Sequence, residues 1–388
     1  MQNFRHVVAP LRIFHGPESF DALPRELDRL GIRRAAIFCG ASLARQGALL
    51  DRIRSAIGDR CAGIYSGVQA HSPLPAVIEA ASELHRLGAD AVIAVGGGSA
   101  IVTTRGATIL LAERGTAHEL CTSRDAAGDL RSPKLLAPKL PQFVIPTTPT
   151  TATVKAGSAL LDPVDGKRLA LFDPKTRASA VFIHPEFIAT PSRELVASAG
   201  LNTLAMAIEG LLSRSCDPIS DGLLMHAVRL LARHLPQSGR SDDLSMRADL
   251  MMASLICGHG TDYTGAGIAI PLGHALSARH DIDNGVANAI VLPHVIRFNA
   301  DAARSGLDNI AAALGGAGVG VSAEATVVNA LESTFARMGT ARRLRDVGVA
   351  RTELAELARI AMDDWFVRDN PRRVRDASEL QQVLDQAW

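Results

Sequence analysis

The chain has little net charge and few aromatic residues, and both shortages limit what it can bind. Its formal net charge is +1, and aromatic residues make up 4% of its 388 residues. Without a sustained positive field, or a basic run interleaved with aromatic residues, nucleic-acid binding is not expected. No stretch reaches about 18 apolar residues without a charge, and the N-terminus lacks a signal-peptide pattern, so no membrane partner is expected. These absences predict a soluble, cytoplasmic protein.

Cysteine is also scarce. The five cysteines are widely spaced and form no Cys-x-x-Cys pair; they are Cys39, Cys61, Cys121, Cys216 and Cys257. An odd, scattered set argues against a disulfide framework or a zinc site. Buried free thiols are the favoured interpretation.

The chain is long and apolar enough for two domains, because 47% of its 388 residues are hydrophobic. Its first half alternates short apolar runs with helical patterns, as a parallel α/β layer requires. Residues 34–39 and 91–95 are predicted strands, and residues 75–87 are a predicted crossover helix between them. The residues 116–142 and 303–321 fit neither pattern.

Beyond about residue 190 the strand pattern stops and helical patterns take over. The predicted helices are residues 192–214, 218–235, 244–258, 285–299, 322–338 and 352–365. We therefore predict an α/β nucleotide-binding domain with a parallel sheet over residues 1–188 and an all-helical domain over residues 189–388. The active cleft is expected between them.

A glycine-rich turn follows the second predicted strand. Gly96, Gly97, Gly98 and Ser99 precede a helical pattern over residues 101–111. Glycines there let the backbone approach a ligand closely, and the first amides of the helix favour a pyrophosphate. A plain tight turn between strand and helix is the alternative, and the turn by itself does not exclude it.

A threonine-rich loop, residues 146–153, follows another short apolar strand. Hydroxyls on such a loop can bond to the diphosphate or ribose of a cofactor, and Thr147, Thr148 and Thr151 are the candidates. The alternative is a turn in which the threonines cap their own backbone.

Six segments together identify a family. They are residues 89–99 with Gly-Gly-Gly-Ser, 145–148 with Ile-Pro-Thr-Thr, 184–187 with His-Pro-Glu-Phe, 199–210, 285–294 and 370–372. In this order, and over nearly the whole chain, they resemble the iron-containing alcohol dehydrogenase family. The resemblance implies the dehydroquinate synthase-like fold, a nicotinamide cofactor and a homodimer that associates through the N-terminal domain.

The metal-binding positions that the resemblance implies have changed. The family holds a metal with an aspartate and a histidine four residues apart and two later histidines; the matching residues are Asn202, Met206, Ile270 and Asn284. Two amides, a thioether and a hydrocarbon do not retain a first-row metal, so we expect none. Met206 and Ile270 should pack against each other or a substrate. Asn202 and Asn284 should bond to each other, a water or a carbonyl.

The choice between NAD and NADP is open in this sequence. Relatives that select NAD place an aspartate after the first strand, where this chain has Gly40. Without that carboxylate, discrimination against NADP should be weak, so either cofactor is expected. Val102 and Arg105 stand where relatives have an aspartate and a lysine after the glycine turn.

Catalysis without a metal requires another source of protons and positive charge. The family's histidine that is not a metal ligand matches His274, which we predict as the proton donor. Lys155, Arg279 and His280 are further candidates, although a basic residue on a loop is often only solvated. Lys155, Arg105 and Arg279 form the cationic set that could hold an acid.

Three functions stay open in the sequence. The resemblance is nearest to the maleylacetate reductase branch, which shares an asparagine at position 202 and a His-x-Pro segment like His71–Pro73. It implies a metal-independent NAD(P)H-dependent reductase of a small activated carbonyl acid. The altered ligands, with Val102 and Val154, also fit a nucleotide-binding homologue without turnover. A non-redox lyase or isomerase acting on a small acid is the third hypothesis.

Overall fold

The computed structural model describes residues 3–125, 130–164, 166, 168–280, 282–316, 318 and 320–388. The chain divides into two compact units. One is Ala9–Pro191, and the other is Ser192–Trp388 together with the N-terminal residues up to Val8. The expected division after residue 188 therefore lies three residues later, and the N-terminal residues belong with the helical unit instead of the α/β unit. The expected cleft stays a prediction.

The first unit contains the strands of the protein that the structure describes. They are β1 (Arg12–His15), β2 (Ala35–Gly40), β3 (Cys61–Val68), β4 (Ala91–Gly96), β5 (Ser123–Arg124), β6 (Leu130–Arg131), β7 (Gln142–Pro146), β8 (Gly157–Leu161), β9 (Arg168–Phe172) and β10 (Ala178–Ile183). Six of them form a parallel sheet in the order β1-β10-β7-β4-β2-β3. Two antiparallel pairs, β5 with β6 and β8 with β9, lie outside it.

Helices occur in both units. The first unit has α1 (Leu23–Arg29), α2 (Ala41–Ala44), α3 (Gly47–Ile57), α4 (Leu74–Arg86), α5 (Gly98–Ala112), α6 (Ala117–Leu120) and α7 (Pro185–Ile188). The second has α8 (Arg193–Leu212), α9 (Pro218–Ser238), α10 (Leu244–Thr264), α11 (Ala269–Arg279), α12 (Asn284–Asn299), α13 (Arg304–Ala313), α14 (Ala323–Met338), α15 (Leu354–Met362) and α16 (Ala377–Ala387). Short 3₁₀ turns connect several of them.

Helices cover both faces of the parallel sheet, which explains the apolar composition of its strands. On β2, Ile37 belongs to a core with α1 and α3, whereas Phe38 belongs to a core with α4. Both side chains are fully buried. Because neighbouring residues of a strand face opposite sides, a strand buried on both sides must be apolar throughout.

The helical unit has its own apolar core, and polar residues begin several of its helices. Ser192, Asp217 and Ser322 each accept a hydrogen bond from a backbone amide in the first turn of α8, α9 and α14. Such caps satisfy amides that have no partner inside the helix. By length and composition α8 could span a membrane, but 78% of its most apolar window is buried, as is usual for a core helix.

The predicted fold class is confirmed, since the parallel α/β unit precedes an all-helical one. The two predicted strands are β2 and β4, and the predicted crossover helix is α4. The unassigned residues 303–321 contain α13, and residues 116–142 contain α6 with the short β5 and β6. The β8–β9 hairpin was not predicted.

Candidate functional site

The glycine turn and the threonine loop lie side by side at the carboxyl edge of the sheet. Gly96 ends β4 beside Pro146, which ends β7, and the amide of Thr147 donates to the carbonyl of Gly96 at 3.0 Å. A Cβ atom on Gly97 would lie 2.8 Å from Oγ1 of Thr148. Neighbouring parallel strands therefore bring together the two loops that the sequence proposed for the cofactor.

The first turn of α5 is held by a strained segment before α4. The amide of His71 donates to Oγ of Ser99 at 3.1 Å, and Oγ of Ser72 donates to the carbonyl of Ser99 at 3.1 Å. His71 and Ser72 have φ angles of 61° and 51°, a region that residues other than glycine seldom adopt. Such strain persists only where the surroundings enforce it, and it concentrates at functional sites.

The threonine loop caps part of its own backbone, and its candidate cofactor contacts are buried. Oγ1 of Thr150 accepts from the amide of Ala152 at 3.2 Å, and Oγ1 of Thr153 donates to the carbonyl of Thr150 at 3.0 Å. The capping alternative thus holds for these two residues. The candidates Thr147, Thr148 and Thr151 are largely buried, each less than one tenth exposed. They keep their predicted role as cofactor contacts.

Arg105 does not serve as a substrate cation. Its side chain is fully buried and donates to the carbonyls of Ala152 and Gly157 at 2.6 Å each. It therefore holds the threonine loop against α5. Lys155 and Arg279 are the remaining candidates for holding an acid. Lys155, which follows the loop, is half-buried. It stays a candidate.

The residues of this edge fit a dinucleotide. Gly98 begins the 15-residue helix α5, whose first turn carries no acidic residue, and a helix N-terminus of this kind favours phosphate. Gly40 ends β2 with φ −86° and ψ 162°, a conformation open to any residue. Its backbone does not require glycine, so the backbone conformation does not explain why a carboxylate is missing at this position.

In the helical unit, the two apolar replacements have become part of the core. Met206 on α8 is 7% exposed and Ile270 on α11 is 2% exposed, and both belong to the main hydrophobic cluster. Among the residues that the structure describes, no three histidine, cysteine, aspartate or glutamate side chains are grouped to hold a metal ion. The residues at these positions do not fit a divalent metal.

The two asparagines at the implied ligand positions do not bond to each other. Oδ1 of Asn202 instead accepts from Nδ2 of Asn288 at 2.8 Å, so the first of the three expected alternatives was wrong. Bonds to a water or a carbonyl stay predictions. Asn284 and Asn288 lie one helical turn apart on α12, and Asn288 is fully buried. Asn288 was not among the predicted site residues, although its spacing from Asn284 places the two on one helix face.

His274 on α11 has a carboxylate partner that the sequence did not reveal. Its Nδ1 lies 2.8 Å from Oδ2 of Asp364, and the two side chains are 17% and 9% exposed. A carboxylate on Nδ1 fixes the ring and stabilises a positive imidazolium. Asp364 follows α15, 90 residues away, and no motif marks it.

The remaining basic candidates lie at the end of α11. Arg279 is exposed and pairs with Glu356 at 3.2 Å. Nε2 of His280 lies 3.8 Å from a carboxylate oxygen of Glu353. Neither residue has a contact that assigns it to catalysis, and both stay predictions.

A buried carboxylate anchors the start of α11. Oε1 of Glu209 accepts from the amide of Ala269 at 2.6 Å, and Oε2 accepts from the amide of Ile270 at 3.3 Å. The pKa of Glu209 is raised to about 7, chiefly by burial; hydrogen bonds from backbone amides lower it, and the nearby charge of Asp364 raises it. Glu209 therefore holds the helix that carries His274.

Known proteins resemble this chain over its full length. Residues 10–185 match the family description iron-containing alcohol dehydrogenase, and residues 196–388 match its C-terminal counterpart. Lactaldehyde reductase of Escherichia coli strain K12 is 29% identical over 96% of this chain and 97% of its own. Maleylacetate reductase 2 of Cupriavidus pinatubonensis is 30% identical over 80% of this chain and 78% of its own. The crystal structure of a 1,3-propanediol oxidoreductase superposes with a TM-score of 0.90 at 24% identity and covers both chains fully.

The fold and these relatives define an oxidoreductase that uses an NAD-type cofactor and acts on alcohol or aldehyde groups. More narrowly, the chain belongs to the iron-containing alcohol dehydrogenase family. The resemblance found in its sequence motifs is thereby confirmed.

Proposed function

We propose that this protein is a metal-independent, NAD(P)H-dependent reductase of a small activated carbonyl acid. The observation that carries the proposal is the pairing of His274 with Asp364 at 2.8 Å. It provides a positioned proton donor in the unit where the residues at the implied ligand positions do not fit a cation. Similarity to a maleylacetate reductase supports an oxo acid as the substrate class.

The reaction needs a hydride and a proton. A bound NAD(P)H, held by the glycine turn and the threonine loop, would supply the hydride to the carbonyl carbon and would be oxidised to NAD(P)⁺. The carbonyl oxygen keeps the electron pair of the broken π bond and takes a proton from His274, which regains one from solvent. Asp364 stabilises the imidazolium that donates this proton.

Because the residues at the implied ligand positions do not fit a metal ion, this proposal has no Lewis acid to polarise the substrate, and we expect the substrate to have an activated carbonyl. A metal ion contributes several kcal/mol by polarising the carbonyl. Without it, the substrate itself must be electron-poor at carbon, as in an oxo acid. A cation must then hold the carboxylate, and Lys155 or Arg279 takes that role in this proposal. The surface pair of Arg279 with Glu356 is weak enough to exchange for a substrate.

The test is the oxidation of NADH and NADPH, measured in chelator, across a panel of oxo acids and simple aldehydes. We expect oxo acids to be reduced faster than aldehydes. His274→Ala should lower kcat by roughly a hundredfold or more. His234→Ala is the matched control, because His234 also pairs with a carboxylate, Asp249, at 2.9 Å. It should leave kcat unchanged.

Two results would overturn the proposal. Equal rates with simple aldehydes and oxo acids would contradict the requirement for an activated substrate. A normal rate for the His274→Ala enzyme would contradict the assignment of His274 as the proton donor. If nucleotide binds but no carbonyl in the panel is reduced, the binding homologue and the non-redox hypotheses replace it.

The oligomeric state and the cellular location belong to the same proposal. We propose a cytoplasmic homodimer whose only required partners are the cofactor and a small acid, without nucleic acid or membrane. Light scattering after gel filtration checks the dimer, and a monomer at working concentration would contradict it.

A further inference from the structure

The polar side chains at and beside the implied ligand positions are more exposed than the apolar ones. Asn202 on α8, His274 on α11 and Asn284 on α12 are each half-buried, whereas Met206 and Ile270 are in the core. The three helices pack against one another. Around the implied ligand positions, the apolar side chains therefore belong to the core, and the polar ones form a partly exposed polar surface.

A hydrogen bond sets the orientation of Asn202. The fully buried Asn288 donates from Nδ2 to Oδ1 of Asn202 at 2.8 Å. The acceptor end of Asn202 is thereby engaged, which leaves its Nδ2 group, with two N–H donors, as the end that can meet a ligand.

Glycine makes room for the buried member of this pair. A Cβ atom on Gly273 of α11 would overlap Oδ1 of Asn288. The helix before His274 therefore approaches α12 only because position 273 has no side chain. This close approach links the amide pair to the helix that carries the proton donor.

Asn284 adds an acceptor to the same surface. Its Oδ1 atom is buried and has no hydrogen-bond partner among the described residues. A buried acceptor without a donor is costly, so this atom is suited to a hydroxyl or another polar hydrogen of a ligand. It is a second indication that a polar ligand binds here.

We propose that the Nδ2 group of Asn202, held in place by Asn288, donates a hydrogen bond to the carbonyl oxygen of the substrate where relatives would use a cation. The inference rests on the proposed reductase function. Asn202 is the catalytic residue in it, and Asn288 is a positioning residue.

The expected rate contribution of this hydrogen bond is consistent with the proposed substrate class. A preorganised donor to a developing oxyanion contributes about 10²- to 10³-fold in kcat. Because a neutral amide polarises the carbonyl less than a metal ion does, an unactivated aldehyde should turn over slowly. The carbonyl of an oxo acid is already electron-poor, so an amide donor and an imidazolium should be enough to support its reduction without a metal.

The main test is steady-state kinetics in chelator with the best oxo acid of the panel. Asn202→Ala should lower kcat by about 10²-fold, in the range of a lost oxyanion donor, with the Kd of NADH unchanged. Asn202→Asp keeps the shape but replaces the donor by an acceptor, so it should lose at least as much. Asn299→Ala is the control, because Asn299 and Asn370 form another buried amide pair, at 2.9 and 2.8 Å. It should change stability but not kcat.

A double-mutant cycle tests the positioning role. Asn288→Leu removes the donor to Asn202 and should lower kcat by about tenfold or more, with KM for the oxo acid little changed. Combining it with Asn202→Ala should then cost little more than Asn202→Ala alone, because the two residues act through one group. Additive effects would show that Asn288 acts only on the fold, and thermal melts exclude unfolded variants.

Three outcomes overturn the inference. They are a normal kcat for Asn202→Ala, a normal kcat for Asn202→Asp, or a wild-type enzyme whose activity is abolished by chelator. If the wild-type enzyme reduces no carbonyl at all, the proposed function fails first. If it reduces oxo acids and only Asn202 proves neutral, the failure belongs to this inference alone.

Discussion

Asp364 is the residue whose contact most changes the interpretation of His274. It lies 2.8 Å from Nδ1 of the imidazole and is itself largely buried. A lone histidine is often only a satisfied polar side chain, but one paired with a carboxylate has its ring fixed and its charged form stabilised. The pair therefore supports the role of proton donor that we propose for His274.

Asp364→Asn should keep the shape of this pair and remove its charge. We expect kcat to fall by at least about tenfold, since general acid catalysis contributes about 10²- to 10⁴-fold and depends on the imidazolium. The Kd of NADH should not change. Stopped-flow and steady-state assays measure kcat, and fluorescence titration measures the cofactor. A normal kcat would show that the pair is structural.

Gly40 is the residue at which we expect a substitution to change the choice between NADH and NADPH. Its backbone is open to any side chain, and a Cβ atom would be 3.4 Å from the carbonyl of Val68. Gly40→Asp should raise KM for NADPH by about tenfold or more through repulsion of the 2′-phosphate, and leave KM for NADH similar or lower. Gly40→Asn, which lacks the charge, is the control. Equal effects on both cofactors would place the ribose elsewhere.

At the scale of the helices, contact between α8 and α12 depends on a glycine. A Cβ atom on Gly285 of α12 would overlap the backbone carbonyl of Ser198 on α8. Backbone cannot move aside as a flexible side chain can. The two helices therefore approach as closely as they do because residue 285 is glycine.

Gly285→Ala should destabilise the protein by about 1–3 kcal/mol, the usual effect of overpacking. Gly222→Ala is the matched control, because Gly222 lies within α9 and a Cβ atom there would have no neighbour within 4 Å. It should stabilise the protein by about 0.5–1 kcal/mol through helix propensity. Urea denaturation of both variants measures the difference. Equal stabilities would contradict the close helix contact.

The start of α11 has a pH-dependent anchor in Glu209. Its pKa is raised from 4.5 to about 7 by burial. Between these two values the folded protein keeps a proton that the unfolded chain has released. The stability that Glu209 contributes is therefore complete below about pH 4.5 and is lost as the pH rises through about 7.

Glu209→Gln should remove this dependence. The Tm of the wild-type protein relative to the variant should fall as the pH rises from about 5 to about 8, and level off above that. Calorimetry at a series of pH values measures it. A difference in Tm that stays constant with pH would show that Glu209 is ionised in the folded protein throughout.

For the molecule as a whole, the central prediction concerns metal. We expect purified protein to contain less than one iron or zinc per chain, and chelator to change neither its folding nor its activity. The reason is that Asn202, Met206, Ile270 and Asn284 offer no anionic or imidazole ligand. Elemental analysis and calorimetry with and without chelator measure this. One tightly held ion per chain would contradict it.

The sequence by itself determined the class of fold, the order of the two units and the family. Residues that are buried on both faces of a sheet must be apolar, so β2 and β4 were recognisable as short apolar runs. Helical periodicity marked α8 and α9. The glycine turn and the threonine loop were visible because both patterns depend on adjacent residues.

Only the tertiary structure decided which polar groups meet. It assigned Arg105 to two backbone carbonyls instead of a substrate, joined Asn202 to Asn288 instead of Asn284, and supplied Asp364 as the partner of His274. These contacts join residues about 50 to 90 positions apart, so no local periodicity or spacing records them. Apolar burial drives the packing of helices and strands. That packing determines which buried polar atoms come within hydrogen-bonding distance of one another.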